Sequence, residues 1–174
     1  MSHTEKKNKS ILSIYDTFNR RVNKIFSKLS GILILVIAVL IFQDVIQRYV
    51  FNSPTSWSLD LSGFLLVYIV FLSLSPTLES GQHVSVDLLN EVVSPKMKKI
   101  FKNIVLLLVI AFGVIFFWKI LEYTIQVAQD QRISTSNIPI PLIYVYLIAP
   151  IGIFQFILTA INMYLNSMFR HETI

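Results

Sequence analysis

The chain contains no cysteine. That removes disulfides, thiolate nucleophiles and thiol metal sites, and with them the four-helix membrane oxidoreductases that depend on a CxxC pair. Histidine is nearly as scarce: His3, His83 and His171 are the whole supply, and all lie outside the apolar stretches, so no pair can ligate a haem between helices. Charged residues make up only 14% of the 174, and 10 of them are acidic. With 5 glycines and 6 prolines, the breakers that do occur stand out as boundaries. No nucleotide motif, metal-ligand cluster, nucleophile triad or internal repeat is visible. Nor is there the set of intramembrane carboxylates and broken helices from which secondary transporters build a midplane site. A chain that lacks all of these is read as having no catalytic, cofactor or metal site of its own, and not as an enzyme.

What the chain has is apolar sequence, 54% of it. Four runs, near residues 29–51, 57–78, 100–124 and 139–168, each reach the roughly 20 residues a membrane-spanning helix needs. Lys6, Lys7, Lys9, Arg20, Arg21, Lys24 and Lys28 precede the first run, Lys96, Lys98, Lys99 and Lys102 separate the second from the third, and Arg170 follows the fourth. Only Arg48, Lys119 and Arg132 fall on the other side. The positive-inside rule then places both termini in the cytoplasm. A formal charge of +5 could belong to a nucleic-acid binder, but these cations form juxtamembrane clusters, which suit phospholipid headgroups and not nucleic acid. The basic N-terminus followed by an apolar run also has the look of a signal peptide. The run from Leu29 to Phe42 leads into charged helix with no small-residue cleavage site, so it is read as retained.

The expected fold is therefore an all-α integral membrane protein: a cytoplasmic segment 1–28, a four-helix membrane domain 29–168 and a short tail 169–174. Ile11, Tyr15, Phe18, Val22, Phe26 and Leu29 recur at helical spacing, with Asp16, Asn19, Arg20, Asn23, Lys24 and Ser27 between them. That stripe predicts an amphipathic helix lying in the membrane interface, in preference to a helix projecting into water. Asp44 and Arg48 are one turn apart and can neutralise each other, either in a polar seam against a partner or as an ordinary interface pair with Arg48 snorkelling. The connection Asn52 to Ser56 is short and rich in turn formers, so the first two spans are antiparallel neighbours. Thr55 or Ser56 caps the second span, Trp57 anchors it at the boundary, and Asp60 lies in its first turns. The helix dipole accounts for Asp60, and a contact to another helix, or to Arg48 across the hairpin, accounts for it equally.

Pro76 and Gly81 are expected to end the second span. A second interfacial stretch, Leu88 to Val93, follows, with Asp87 as its cap. His83 beside Asp87 offers too few ligands for a metal and no pocket for general-base work, so both are read as structural. Ser94 and Pro95 form an N-cap and N1 pair for the third span. Phe116, Phe117 and Trp118 read as an interfacial belt, and Lys119 with Glu122 as an i,i+3 pair. Pro139 and Pro141 fix an extended entry to the fourth span, and Pro150 predicts a kink that frees a carbonyl near Tyr146.

Taken in order, Arg48-Tyr49-Val50-Phe51-Asn52-Ser53-Pro54, Trp57 with an acid three positions on, Gly81-Gln82-His83-Val84-Ser85-Val86-Asp87, Pro141 and Pro150-Ile151-Gly152 resemble the small membrane subunit (the DctQ-like, or Q, subunit) of tripartite ATP-independent periplasmic (TRAP) transporters. The resemblance covers residues 40–155. Where the family usually carries Glu after the tryptophan, this chain has Asp60. The resemblance implies a bacterial inner-membrane protein that forms a heterodimer with a large multispan subunit holding the sodium and substrate sites. A periplasmic substrate-binding protein then delivers an organic acid, of the sialic acid or C4-dicarboxylate kind, and docks transiently. It also implies that Asp44, Arg48, Trp57, Asp60, Gly81, His83, Asp87 and Pro150 serve structure and assembly. The alternative from another class is a homodimeric four-helix exporter cycling protons on Asp44, which Arg48 disfavours by depressing the carboxylate pKa.

Overall fold

The computed structural model describes residues 3–53, 55–81 and 95–169, nearly all of them helical. Helix α1 is His3–Val50, α2 Ser56–Glu79, α3 Pro95–Gln129, α4 the single turn Leu142–Tyr146, and α5 Ile148–Phe169. Four stretches are long and apolar enough to cross a bilayer: Leu12–Val50, Ser56–Glu79, Ile100–Gln129 and Leu142–Met168, the last joining α4 and α5. The residues His83, Asp87 and the stretch Leu88 to Val93 lie outside the described residues.

The helices form a row, not a closed bundle. α1 packs along α2, α2 along α5 and α5 along α3; the N-terminal part of α1 also meets α5, while α1 and α3 make no contact with each other and α2 makes none with α3. The arrangement shows in burial: 33% of the most apolar stretch of the last span is buried inside the protein, against 6% of that in α1. A row has two broad faces. Its contacts use small side chains, which let helix backbones approach where lipid supplies no hydrophobic drive. Ser30, Ser58, Ser62, Ser75, Ala149 and Ala160 are all buried, and the Ser58 hydroxyl crosses from α2 to donate to the Leu40 carbonyl of α1 at 3.0 Å.

α1 is one 48-residue helix, about 70 Å long at 1.5 Å per residue. It passes without interruption through the point near residue 28 where the sequence reading separated a surface helix from the first span. Within residues 12–26 the two most buried positions are Asn19 and Asn23, while Phe18 of the apolar stripe is exposed. The helix ends where Asn52 adopts φ 50° and the Ser53 N–H turns back to the Gln47 carbonyl at 3.0 Å; asparagine tolerates that left-handed geometry better than most residues.

Pro76 sits inside α2, one turn before its end at Glu79, and the chain leaves the helix through Gly81 at φ 75°. The proline in the last span acts on the turn before it. Leu147 separates α4 from α5, three residues ahead of Pro150, because a proline ring crowds the preceding turn and cannot donate to it. The carbonyl taken up there is that of Tyr144, which accepts from the Tyr68 hydroxyl of α2.

Gly152 marks a close approach of α5 to α2. A Cβ at that position would lie 2.3 Å from the Phe71 carbonyl oxygen of α2, a backbone atom that no rotamer change can move. Gly152→Ala is therefore expected to force α2 and α5 apart and cost about 1–3 kcal/mol. Gly63→Ala, where a Cβ meets nothing within 4 Å, serves as the control and leaves the melting temperature in detergent unchanged or slightly raised. Equal melting of the two variants would show that the close approach carries no constraint.

Candidate functional site

Two polar clusters organise the row, one at each end. At the hairpin end, Asp44 projects from the last turns of α1. Its Oδ2 accepts from Arg48 Nη2 at 2.9 Å, and its Oδ1 accepts both the backbone N–H of Thr55, at 3.1 Å, and the Thr55 hydroxyl. Thr55 holds the N-cap position of α2 but spends its hydroxyl on Asp44 and not on capping its own helix. Asp44 thus ties the end of α1 to the start of α2. Arg48 is the lesser partner, its side chain 58% exposed against 17% for Asp44.

Asp60 does not reach Arg48. Its Oδ2 accepts from the backbone N–H of Asn137 at 2.9 Å and from Asn137 Nδ2 at 3.1 Å, and the same amide donates to the Ser56 carbonyl at 3.2 Å. The first turn of α2 therefore clamps the connection between α3 and α4. That connection is itself folded: Gln131 at φ 47° turns the chain out of α3, and a short antiparallel pairing runs from Arg132 to Leu142 through Ile133 and Pro141. Within it, Asp130 hydrogen-bonds Arg132 and holds its guanidinium pKa above the ordinary value. Lys119 and Glu122 pair at 2.9 Å, and the rings of Tyr123 and Tyr146 meet edge to face at 5.2 Å, joining α3 to α4. Trp57 stands partly exposed at the start of α2.

The larger cluster, at the end where the cations gather, went unread in the sequence. Asn23 of α1 is its hub. The Nδ2 group donates to Glu79 Oε2 at 2.7 Å and faces Thr159 Oγ1 at 3.1 Å, while the Oδ1 accepts from Ser75 at 2.7 Å and from Gln155 at 2.9 Å. One turn away, Asn19 Oδ1 accepts from Gln155 at 2.8 Å and Thr159 at 3.0 Å. Further out, Asp16 accepts from Arg20, Asn162 and Asn166, and Tyr15 donates to the Leu158 carbonyl at 2.7 Å. Ser167 bonds Asn103 at 2.8 Å, carrying the seam on to α3. A signal for it existed: Gln155, Thr159, Asn162 and Asn166 recur at spacings of four, three and four in an otherwise apolar span, and Ser75 with Glu79 are one turn apart. Among the described residues no group of three or more His, Asp or Glu converges as metal ligands would.

A row of four spans, each long and apolar enough to cross a bilayer, pinned at both ends by hydrogen bonds among its own helices, defines a multi-pass membrane protein. The comparisons agree. Residues 37–170 match the family described as the DctQ component of tripartite ATP-independent periplasmic transporters, and the chain belongs to that family. It is 33% identical over 88 residues to a sialic acid TRAP transporter permease protein, SiaT, of Haemophilus influenzae, an alignment that covers 51% of this chain and 14% of that protein. A putative TRAP transporter small permease protein of Haemophilus influenzae is 31% identical over 83 residues, covering 48% of this chain and 52% of the relative. The C4-dicarboxylate TRAP transporter small permease protein DctQ of Vibrio cholerae is 24% identical over 104 residues, covering 59% and 45%. The match thus takes in a small part of the first relative and about half of the other two. The chain is a small TRAP permease subunit, a multi-pass protein of the bacterial inner membrane.

Two outcomes are expected at the hairpin end. Asp44→Ala removes the acceptor for Thr55 and is expected to destabilise the protein more than Arg48→Ala, which breaks only an exposed pair. Chemical unfolding of the two variants in detergent checks the order, and equal costs would mean that the ion pair, not the hairpin tie, is what Asp44 provides. Asp60→Ala is expected to speed hydrogen exchange at the Asn137 amide while leaving the amides of α2 beyond its first turn protected. Unchanged exchange at Asn137 would show that the clamp does not hold the connection.

Proposed function

We propose that this chain is the scaffold subunit of a sodium-coupled importer of an organic acid. It pairs one to one with a large multispan membrane subunit that carries the ion and substrate sites, and a periplasmic binding protein delivers the substrate to the pair. The observation that carries the reading is the open row. α1 turns Leu35, Val39 and Phe42 outward and α3 turns Leu108, Phe112 and Ile115 outward, each set at helical spacing, so both outer helices offer apolar stripes to a partner or to lipid. With the cation-rich end in the cytoplasm, the hairpin and the clamped connection 130–141 face the periplasm, on the side from which a binding protein would approach. The names of the relatives, sialic acid in one case and C4-dicarboxylate in another, support a carboxylate-bearing substrate whose identity is read by the other components.

Asp44 is engaged by Thr55 and Arg48, which leaves it poorly placed to cycle protons for an autonomous exporter. Expression of the chain with a tag, together with its genomic neighbours, is expected to recover a large membrane subunit at one to one. Recovery of a stable homo-oligomer that transports in liposomes without any partner would overturn the proposal.

A further inference from the structure

At the cation-rich end a cleft of about 260 Å³ opens over α5, with Asn162 and Asn166 of α5, Asn19 and Arg20 of α1, Glu79 of α2 and Lys102 of α3 in its walls. It has room because α1 and α3 each reach α5 without touching one another. The acceptors in it are mostly taken: Asp16 accepts from Arg20, Asn162 and Asn166, and Glu79 Oε2 accepts from Asn23. Donors are in surplus. Asn19 is 1% exposed, its Oδ1 is bonded twice, and its Nδ2 has no partner. Arg20 bonds through Nε alone, and Lys102 has no ion-pair partner among the described residues.

Unspent N–H groups converging on one cleft call for an oxyanion, since a buried donor without an acceptor is costly. The formal charges of Arg20, Lys102, Asp16 and Glu79 cancel, however, so the lining does not draw a bare anion; a ligand carrying both charges fits better. Glu79 Oε1 has Arg20 only at 4.0 Å and can take an ammonium group. The level of the cleft says where such a ligand comes from. On the same turns α1 exposes Ile14 and Phe18 beside the exposed Arg20 and Arg21, the mixture of apolar and cationic side chains that belongs at headgroup depth. We propose that this cleft binds the headgroup of a zwitterionic membrane phospholipid bearing a primary ammonium, of the phosphatidylethanolamine type. Its phosphate accepts from Asn19 Nδ2, Arg20 and Lys102, and its ammonium donates to Glu79.

The test is native mass spectrometry of the full-length chain with whatever subunit it retains, stripped of lipid and titrated separately with phosphatidylethanolamine, phosphatidylcholine, phosphatidylglycerol and soluble phosphoethanolamine. The ethanolamine lipid is expected to bind about tenfold tighter than the choline lipid, whose headgroup has no N–H to give Glu79. Lys102→Ala, an exposed change that spares the fold, is expected to weaken it about five- to tenfold, and Glu79→Gln to abolish the preference over choline; Lys28→Ala alters neither. Equal affinity for the ethanolamine, choline and glycerol lipids, or no effect of Lys102→Ala, would overturn the proposal and leave the cleft to water. Phosphoethanolamine binding as tightly as the whole lipid would overturn the membrane source.

Discussion

Asn23 has four polar neighbours on two other helices, Glu79 and Ser75 of α2 and Gln155 and Thr159 of α5, and the rest of the architecture follows from that. In a bilayer, lipid tails are as apolar as leucine, so helices gain little by hiding leucines from them. Association rests on close van der Waals contact and on polar groups that find no acceptor in hydrocarbon. Each such bond contributes only about 0.5–2 kcal/mol, yet the Asn23 cluster concentrates several at one depth and in one register. Rotating α1 by a residue would leave the asparagines facing lipid and the acceptors on α2 and α5 empty. The polar seam thereby selects one arrangement among many that apolar packing alone would leave nearly degenerate.

Pinned there, and again through Asp44 and Asp60 at the opposite end, the chain holds four helices in a row without closing them into a bundle. A closed bundle would spend its apolar stripes on itself; the row leaves those of α1 and α3 outward. That form suits the scaffold role proposed above, and among the described residues no group of carboxylates converges as metal ligands would. The glycine at 152, against the Phe71 backbone, sets how tightly the two central helices meet and so how thin the row is.

The number of spans and the family were legible in sequence because they rest on composition and on short ordered motifs. The continuity of α1 was not. The periodicity of residues 11–29 serves an interfacial helix as well as one packed on α2 and α5, and amphipathicity does not say which face is the inner one when the inner face is polar. The α5 partners of Asn19 and Asn23 lie more than 130 residues away, although the stripe of Gln155, Thr159, Asn162 and Asn166 announced that something polar had to meet it. Asp60 is a different case. Its own turn gave no sign that an asparagine 77 residues on would fold back to it, because that contact depends on how the connection after α3 closes. The effect of Pro150 was readable in kind, and the structure displaces it to Leu147, where the ring's crowding is felt.

The architecture depends most on the docking of the start of α1 against α5 in the membrane. Asp16 and Asn162 touch through a 2.9 Å hydrogen bond, and the absence of native cysteine allows a clean pair. With Asp16→Cys and Asn162→Cys introduced together and oxidised in native membranes, the chain is predicted to form an intramolecular disulfide rapidly and in high yield. Failure of that pair to cross-link, with each cysteine instead open to a membrane-impermeant thiol reagent, would place residues 11–28 away from the other helices and contradict the central role given to the Asn23 cluster.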